Sequence, residues 1–300
     1  MRRLLQIDFE LSRCCFDGMF EFYIHFPKDS RYFLSAARYA VIGATGLGDT
    51  GLFNCILNDV MEYPDRVGHP QAEIGVKVFN VWLRQWLRVT EEDACTSLRS
   101  IDPGEIPPSW RPMISYSLMH SMLTRGECLA TYAMAVSILL DWNGIFGEAE
   151  DAPWVKVACA LCCRDMGNEE DEKLWFSRAI EDAVGMCHAL PFMGIAMGPG
   201  SVLEKLLQEK APKIFEIVHS KGTAFHRNRV KLHNAFTGGK VSELLSPREF
   251  YMVKMVVKKL GYKEIAARMG VSLGRAKNIA LRIYGKLNVH SKKELAAYIW

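Results

Sequence analysis

The chain has 300 residues, of which 37 are Lys or Arg, 34 are Asp or Glu and 49% are hydrophobic, enough for a substantial core and two or more domains. No apolar run reaches the ~18 residues that a membrane-spanning helix needs. Asp8 and Glu10 interrupt the apolar stretch that Arg2 and Arg3 would have to introduce in a signal peptide. Nine cysteines, an odd number without framework spacing, read as reduced and mostly buried thiols of a bacterial cytoplasmic protein.

Residues 1–220 read almost wholly as helix. β-branched alternation is scarce, and Gly, Asp and Pro punctuate segments of 12–18 residues. Similar turns recur at Leu47-Gly48-Asp49, Arg125-Gly126-Glu127 and Met166-Gly167-Asn168. Their spacings of 78 and 41 residues become one period of about 40 if a further turn lies near Leu87–Glu91. The expectation is a helical-repeat regulatory body over 1–220. Gly46-Leu47-Gly48-Asp49-Thr50-Gly51 matches a dinucleotide fingerprint, yet Phe33, Ala36, Ala37, Ala40 and Val41 before it keep helical spacing. Asp49 also stands where a P-loop requires Lys, so an inter-helix turn is the better reading. Val78, Trp82 and Trp86 form a stripe that reads as core, with a ligand groove as the sharper alternative. Cys159, Cys162 and Cys163 lie on an apolar helix and read as core rather than half a zinc site. Glu169–Glu172 reads as the first turn of a helix, where negative charge meets the positive end of the dipole. No nucleophile–base set and no paired carboxylates assemble from neighbouring motifs, so no catalytic centre, cofactor or metal site is expected.

Residues 221–244 carry Arg227, Arg229, Lys231 and Lys240 with Gly222, Gly238 and Gly239, and read as a basic linker with a hinge. It either touches DNA phosphates or is simply solvated. Residues 245–300 hold 12 Lys or Arg against 3 Asp or Glu, so this fifth of the chain carries +9 and the remainder −6. A concentrated positive field on a small module suits a polyphosphate partner. Ser246-Pro247-Arg248-Glu249 is a capping box, and Val253, Val256, Val257 and Leu260 continue it as one apolar stripe. A short helix follows over Lys263–Met269, then a Gly270-Val271 turn and Ser272 as the next N-cap. That third helix turns Ala276, Ala280, Ile283 and Leu287 to one side and Arg275, Lys277, Asn278 and Arg282 to the other. Ser291–Glu294 is a second capping box opening a last short helix.

Together these residues resemble the LuxR-type helix-turn-helix domain: Leu245–Glu249, Lys263–Ala266, Val271-Ser272, Lys277-Asn278, Ile283, Lys286-Leu287 and Val289 follow its pattern without a gap. The unit around Ala158–Ile180 resembles, in degenerate form, a tetratricopeptide repeat. The resemblance implies an all-α protein in which a tetratricopeptide-like body precedes a four-helix DNA-binding domain. It implies a DNA-binding transcriptional regulator that binds double-stranded DNA as a homodimer, with the fourth helix, Lys292–Tyr298, in the dimer contact. A helix in the major groove meets a distinct donor and acceptor pattern at each base pair. Arg275 and Asn278 suit guanine and adenine edges; Lys263, Lys277, Arg282 and Lys286 suit phosphates, and Ser272 lies at the start of the reading helix. Arg275, where the family commonly has Thr, Ile279, where it commonly has His, and Gly274 and Gly285 depart from the pattern. The body is expected to receive an effector or protein partner. A helical adaptor whose basic module no longer reads an operator is the alternative.

Overall fold

The computed structural model describes residues 14–89, 98, 101–106, 110–124, 127–142, 152–193, 195 and 201–296, and the regular elements among them are all helical. Arg125, Gly126, Glu91 and Tyr298, to which expectations above refer, lie outside the described residues, as does the N-terminal segment through 13.

The body begins with α1 (Phe16–Ile24), α2 (Phe33–Leu47), α3 (Thr50–Met61), α4 (Tyr63–Val67) and α5 (Pro70–Trp86). Phe33, Ala36, Ala37, Ala40, Val41 and Ala44 form the expected stripe on α2, and all six are inaccessible to solvent. Alanines on that stripe let neighbouring helices approach closely. Val78 and Trp82 of α5 are buried in the same core. Then come α6 (Arg111–Thr124), α7 (Cys128–Trp142), α8 (Ala152–Met166), α9 (Glu169–Val184), α10 (Leu190–Met193) and α11 (Val202–Lys210). α8 and α9 form a hairpin through Gly167 in the left-handed region (φ 80°) and Asn168, whose side chain accepts from Asp171 N at 3.2 Å. Glu169–Glu172 are indeed a helix's first turn. Cys159, Cys162 and Cys163 are buried in α8, and the eight described cysteines are all free thiols.

One element departs from the sequence reading. Residues 221–237, expected as part of a basic linker, are the second half of a 26-residue helix, α12 (Pro212–Thr237). Ile214, Val218, Phe225 and Leu232 are buried on it, and so are Arg229 and His233. Two of its cations bond the body: Lys221 Nζ donates to Cys14 O (2.8 Å) and Lys231 Nζ to Gly48 O (2.7 Å). The helix ends at Gly238, in the left-handed region at φ 68°. The C-terminal module then packs α13 (Pro247–Val257), α14 (Tyr262–Arg268), α15 (Leu273–Leu287) and α16 (Lys292–Ala296) around a separate core.

The Gly-rich segment at 46–51 is an inter-helix turn, as its helical flank suggested. Gly48 has φ 68° and its N–H donates to Ala44 O (2.8 Å), closing α2; Asp49 then caps α3 by accepting from Leu52 N (2.9 Å). Asn228 Nδ2 donates to Gly46 O at 2.8 Å, so α12 docks onto this turn. A Cβ at position 48 would lie 2.5 Å from Asn228 Oδ1, whereas one at Gly68, also left-handed at φ 63°, would meet nothing within 4 Å. Gly48→Ala should therefore cost about 2–3 kcal/mol, against about 1 kcal/mol for Gly68→Ala, in urea unfolding. Equal losses would show that α12 does not bear on the turn.

Candidate nucleic-acid interface

The module is assembled by local capping. Glu249 N donates to Ser246 Oγ (3.2 Å) and Ser246 N to Glu249 Oε2 (2.9 Å), which is the reciprocal capping box the sequence implied. Ser272 Oγ accepts from Arg275 N (3.2 Å) and starts α15, and Asn288 ends it in the left-handed region at φ 51°. At Ser291, Glu294 N donates to Ser291 Oγ (3.2 Å) while the Glu294 carboxylate accepts from His290 N (3.0 Å) and Ser291 Oγ (2.7 Å). α14 and α15 meet across the Gly270 turn (φ 61°), with Ile265, Ala266 and Met269 buried against α15.

α15 is sharply two-sided. Ala276, Ile279, Ala280, Ile283 and Leu287 are buried. Ser272, Arg275, Lys277, Asn278 and Arg282 are exposed, and Arg275, Asn278 and Arg282 recur at i, i+3 and i+7 as one stripe. Lys263 is exposed on α14. Ile279 is core, which accounts for an apolar residue there. Leu281 (69% exposed) lies on the open face and was not picked out in the sequence, although it is an apolar residue off the 276–280–283–287 core period. Leu273 (43%) continues that period and is exposed as the first residue of α15.

Lys286 stands apart from the other six residues assigned to DNA. Its ammonium lies 3.0 Å from both Glu243 and Glu249, and its side chain is 19% exposed. It is an internal cation of the module rather than a free partner for phosphate. Burial alone would raise the Glu249 carboxyl, but the Ser246 N–H and the Lys286 ammonium outweigh it and hold it below the usual carboxylate value. Ser242 binds the same end of α15, its N and Oγ each donating to Lys286 O at 2.8 Å.

A short helix, a tight turn, and a second helix capped by Ser and bearing an exposed cationic and amide stripe define a helix-turn-helix unit. Residues 243–299 match the family described as GerE: bacterial regulatory proteins, luxR family. The chain thus carries a LuxR-type helix-turn-helix domain at this end, the feature of a DNA-binding transcription regulator. No curated protein and no solved structure matches the chain. Among the described residues no group of three or more His, Cys, Asp or Glu is placed to hold a metal ion. No described helix is long and apolar enough to cross a membrane.

Because the folded pKa of Glu249 is depressed, its stabilisation is present above the unfolded pKa and is lost as pH falls through the folded one. Wild-type protein should thus lose module stability on acidification below the ordinary carboxylate value of 4.5. Glu249→Gln should cost about 1–3 kcal/mol at pH 7 and flatten that acid limb, read by thermal unfolding across pH 3–7. An unchanged acid limb would show that the Glu249–Lys286 pair is not formed in solution.

Proposed function

We propose that the protein is a cytoplasmic transcription regulator. In this reading α15 enters the major groove of duplex DNA, and the helical body controls that binding through an effector or protein partner. The sidedness of α15, with Arg275, Asn278 and Arg282 aligned opposite a buried face, carries the reading. Arg275 and Asn278 reach base edges, since bidentate guanidinium and carboxamide groups discriminate bases by about 1–3 kcal/mol each. Lys263, Lys277 and Arg282 neutralise phosphates, and Ser272 at the N-cap orients the start of the reading helix. Leu281 is positioned for apolar contact with a thymine methyl group. Two copies bind a pair of half-sites, with α16 on the dimer side, because one module presents only this single reading helix. The repeat-like hairpins of the body, such as α8–α9, give it a surface suited to receiving a signal.

Selection from a randomised duplex pool at two salt concentrations tests this, using the full chain. A motif with two half-sites should be enriched. Arg275→Ala should weaken binding by about 1–3 kcal/mol and relax one position of the motif. Lys277→Ala should weaken all sequences alike and reduce the salt slope by about one. Lys286→Ala should leave the salt slope unchanged. Binding that is steeply salt-dependent but enriches no motif would sink the regulator reading in favour of an adaptor that retains only attraction to phosphate.

A further inference from the structure

A cavity of about 670 Å³ lies between the body and the C-terminal module. That is within the range of about 300–1,000 Å³ typical of small-molecule sites. Its body side is aromatic. Trp154 meets Trp86 (6.3 Å between ring centroids) and Tyr116 (6.2 Å), both edge to face. Its module side is formed by Ser242, Glu243, Leu244, Ser246 and Lys286.

Four arginines also line it, with Glu204 and Glu243, and two of them, Arg88 and Arg229, form no salt bridge with a described residue. Arg229 is 5% exposed, lies over the Trp86 ring at 5.6 Å, and leaves Nε and Nη2 without a hydrogen-bond acceptor. Arg88, just past the end of α5 at φ 54°, donates through Nη1 to Leu245 O (2.8 Å) and leaves its Nε unsatisfied. His226 Nε2, beside them, is unpartnered too. The carboxylates nearest on the module side, Glu243 and Glu249, are bonded to Lys286 instead. Burial, then the like charge of Arg88, pulls Arg229 down to about 9, so it remains charged at neutral pH. Burial holds His120 and His226 neutral, at about 3 and about 4. Net positive charge thus lines a half-open, largely apolar space, with the unused N–H donors of Arg88 and Arg229 buried in its wall. A buried charge left in that condition destabilises a protein, and an apolar residue at the position would usually be more stable. Unpartnered buried cations beside a cavity of this size therefore point to a ligand that would satisfy them.

We propose that this cavity is an effector site for a small organic carboxylate with a flat apolar body. The carboxylate accepts hydrogen bonds from Arg229 and Arg88, and the apolar body lies against Trp86, Tyr116 and Trp154. A free phosphate would leave those three rings uncovered, which is why a carboxylate on an apolar frame fits better. Arg88 joins the site to the module, since the same guanidinium holds the carbonyl that precedes α13. Occupancy therefore strengthens the docked arrangement of body and module. The consequence for DNA rests on the regulator reading above, but binding itself does not.

The test is calorimetric titration of the full chain with 1-naphthoate, without DNA. Saturable one-site binding is expected, weakened at least about tenfold by Arg229→Met and at least about tenfold for the uncharged 1-naphthalenemethanol. Unliganded Arg229→Met should melt at a higher temperature than wild type, which also shows that the variant folds. Absence of saturable binding, equal affinity in the variant or for the alcohol, or a lower melting temperature would each overturn the proposal. Displacement of naphthoate by inorganic phosphate would overturn the carboxylate assignment. Because no DNA is present, none of these results bears on whether the module reads an operator.

Discussion

Helix α12 is the constraint from which the rest of the molecule follows. It stacks Phe225 on Phe16 of α1 (6.0 Å), sets the same ring edge-on to Trp86 of α5 (6.0 Å) and holds the α2–α3 turn with Asn228 and Lys231. It therefore ties the first and last parts of the body together. Its last turns reach the module. Asn234 exchanges two 3.0 Å hydrogen bonds with the backbone of Val241, and Val230 packs against the module's core. The chain then passes through Gly238 and Gly239 to Val241, and Ser242 is at once bonded to the end of α15. A body and a module with separate cores are thus joined by a rigid clasp rather than by a tether, so any change at α12 must be felt at α15.

The same geometry explains how the charges are distributed. A net of +9 on residues 245–300 makes a strong field, but its members do different work. Arg275, Lys277 and Arg282 stand in solvent on the open face of α15. Lys286, at the other end of the helix, is neutralised by Glu243 and Glu249, so the positive field is concentrated where α15 begins. Facing that neutralised end across the cavity are two body cations, Arg88 and Arg229, that form no salt bridge with a described residue. Burial of those two cations opposes docking of the two units, while the Arg88–Leu245 and Asn234–Val241 hydrogen bonds favour it. Such opposition between comparable terms is what lets a modest ligand shift an arrangement, because only a difference in affinity between states can do so.

What was legible in the sequence was what is local. The capping box at Ser246, the N-caps at Ser272 and Ser291 and the two-sided pattern of α15 rest on contacts within a turn or two, and all are present. At Ser291 the Glu294 carboxylate reaches His290 N rather than closing the box on Ser291 N. The turn at Gly48 was legible for the same reason, because the helical period of Phe33–Val41 outweighs a six-residue glycine pattern. α12 was hidden because its buried positions include Arg229 and His233, which break the apolar period, and because Gly222 looks like a linker residue. His233 is satisfied only by Leu87 O (2.8 Å), 146 residues away in sequence, and no local pattern can announce that. Lys286 was misleading in the same way. In sequence it is one more cation on a basic helix, and only its approach to Glu249, 37 residues earlier, shows that it is already engaged.

The glycines of the reading helix bear on how that helix is held. Gly274 and Gly285 are helical, and an added Cβ would meet nothing within 4 Å at either. Neither is required by a turn or a close approach, so each simply lowers helix stability by about 1 kcal/mol relative to Ala. Compensation comes at the two ends of α15. Ser272 contributes about 1 kcal/mol as N-cap, and the C-terminal carbonyls are held by Ser242 while Lys286 is anchored on Glu249. The two anchors differ in kind: Ser272 depends only on the module, whereas Ser242 follows directly from the segment that α12 clasps. Order at the far end of α15 is for that reason coupled to the body, and order at the reading end is not. Loosening or tightening of the clasp would then act on α15 from behind, without touching the exposed Arg275, Asn278 and Arg282.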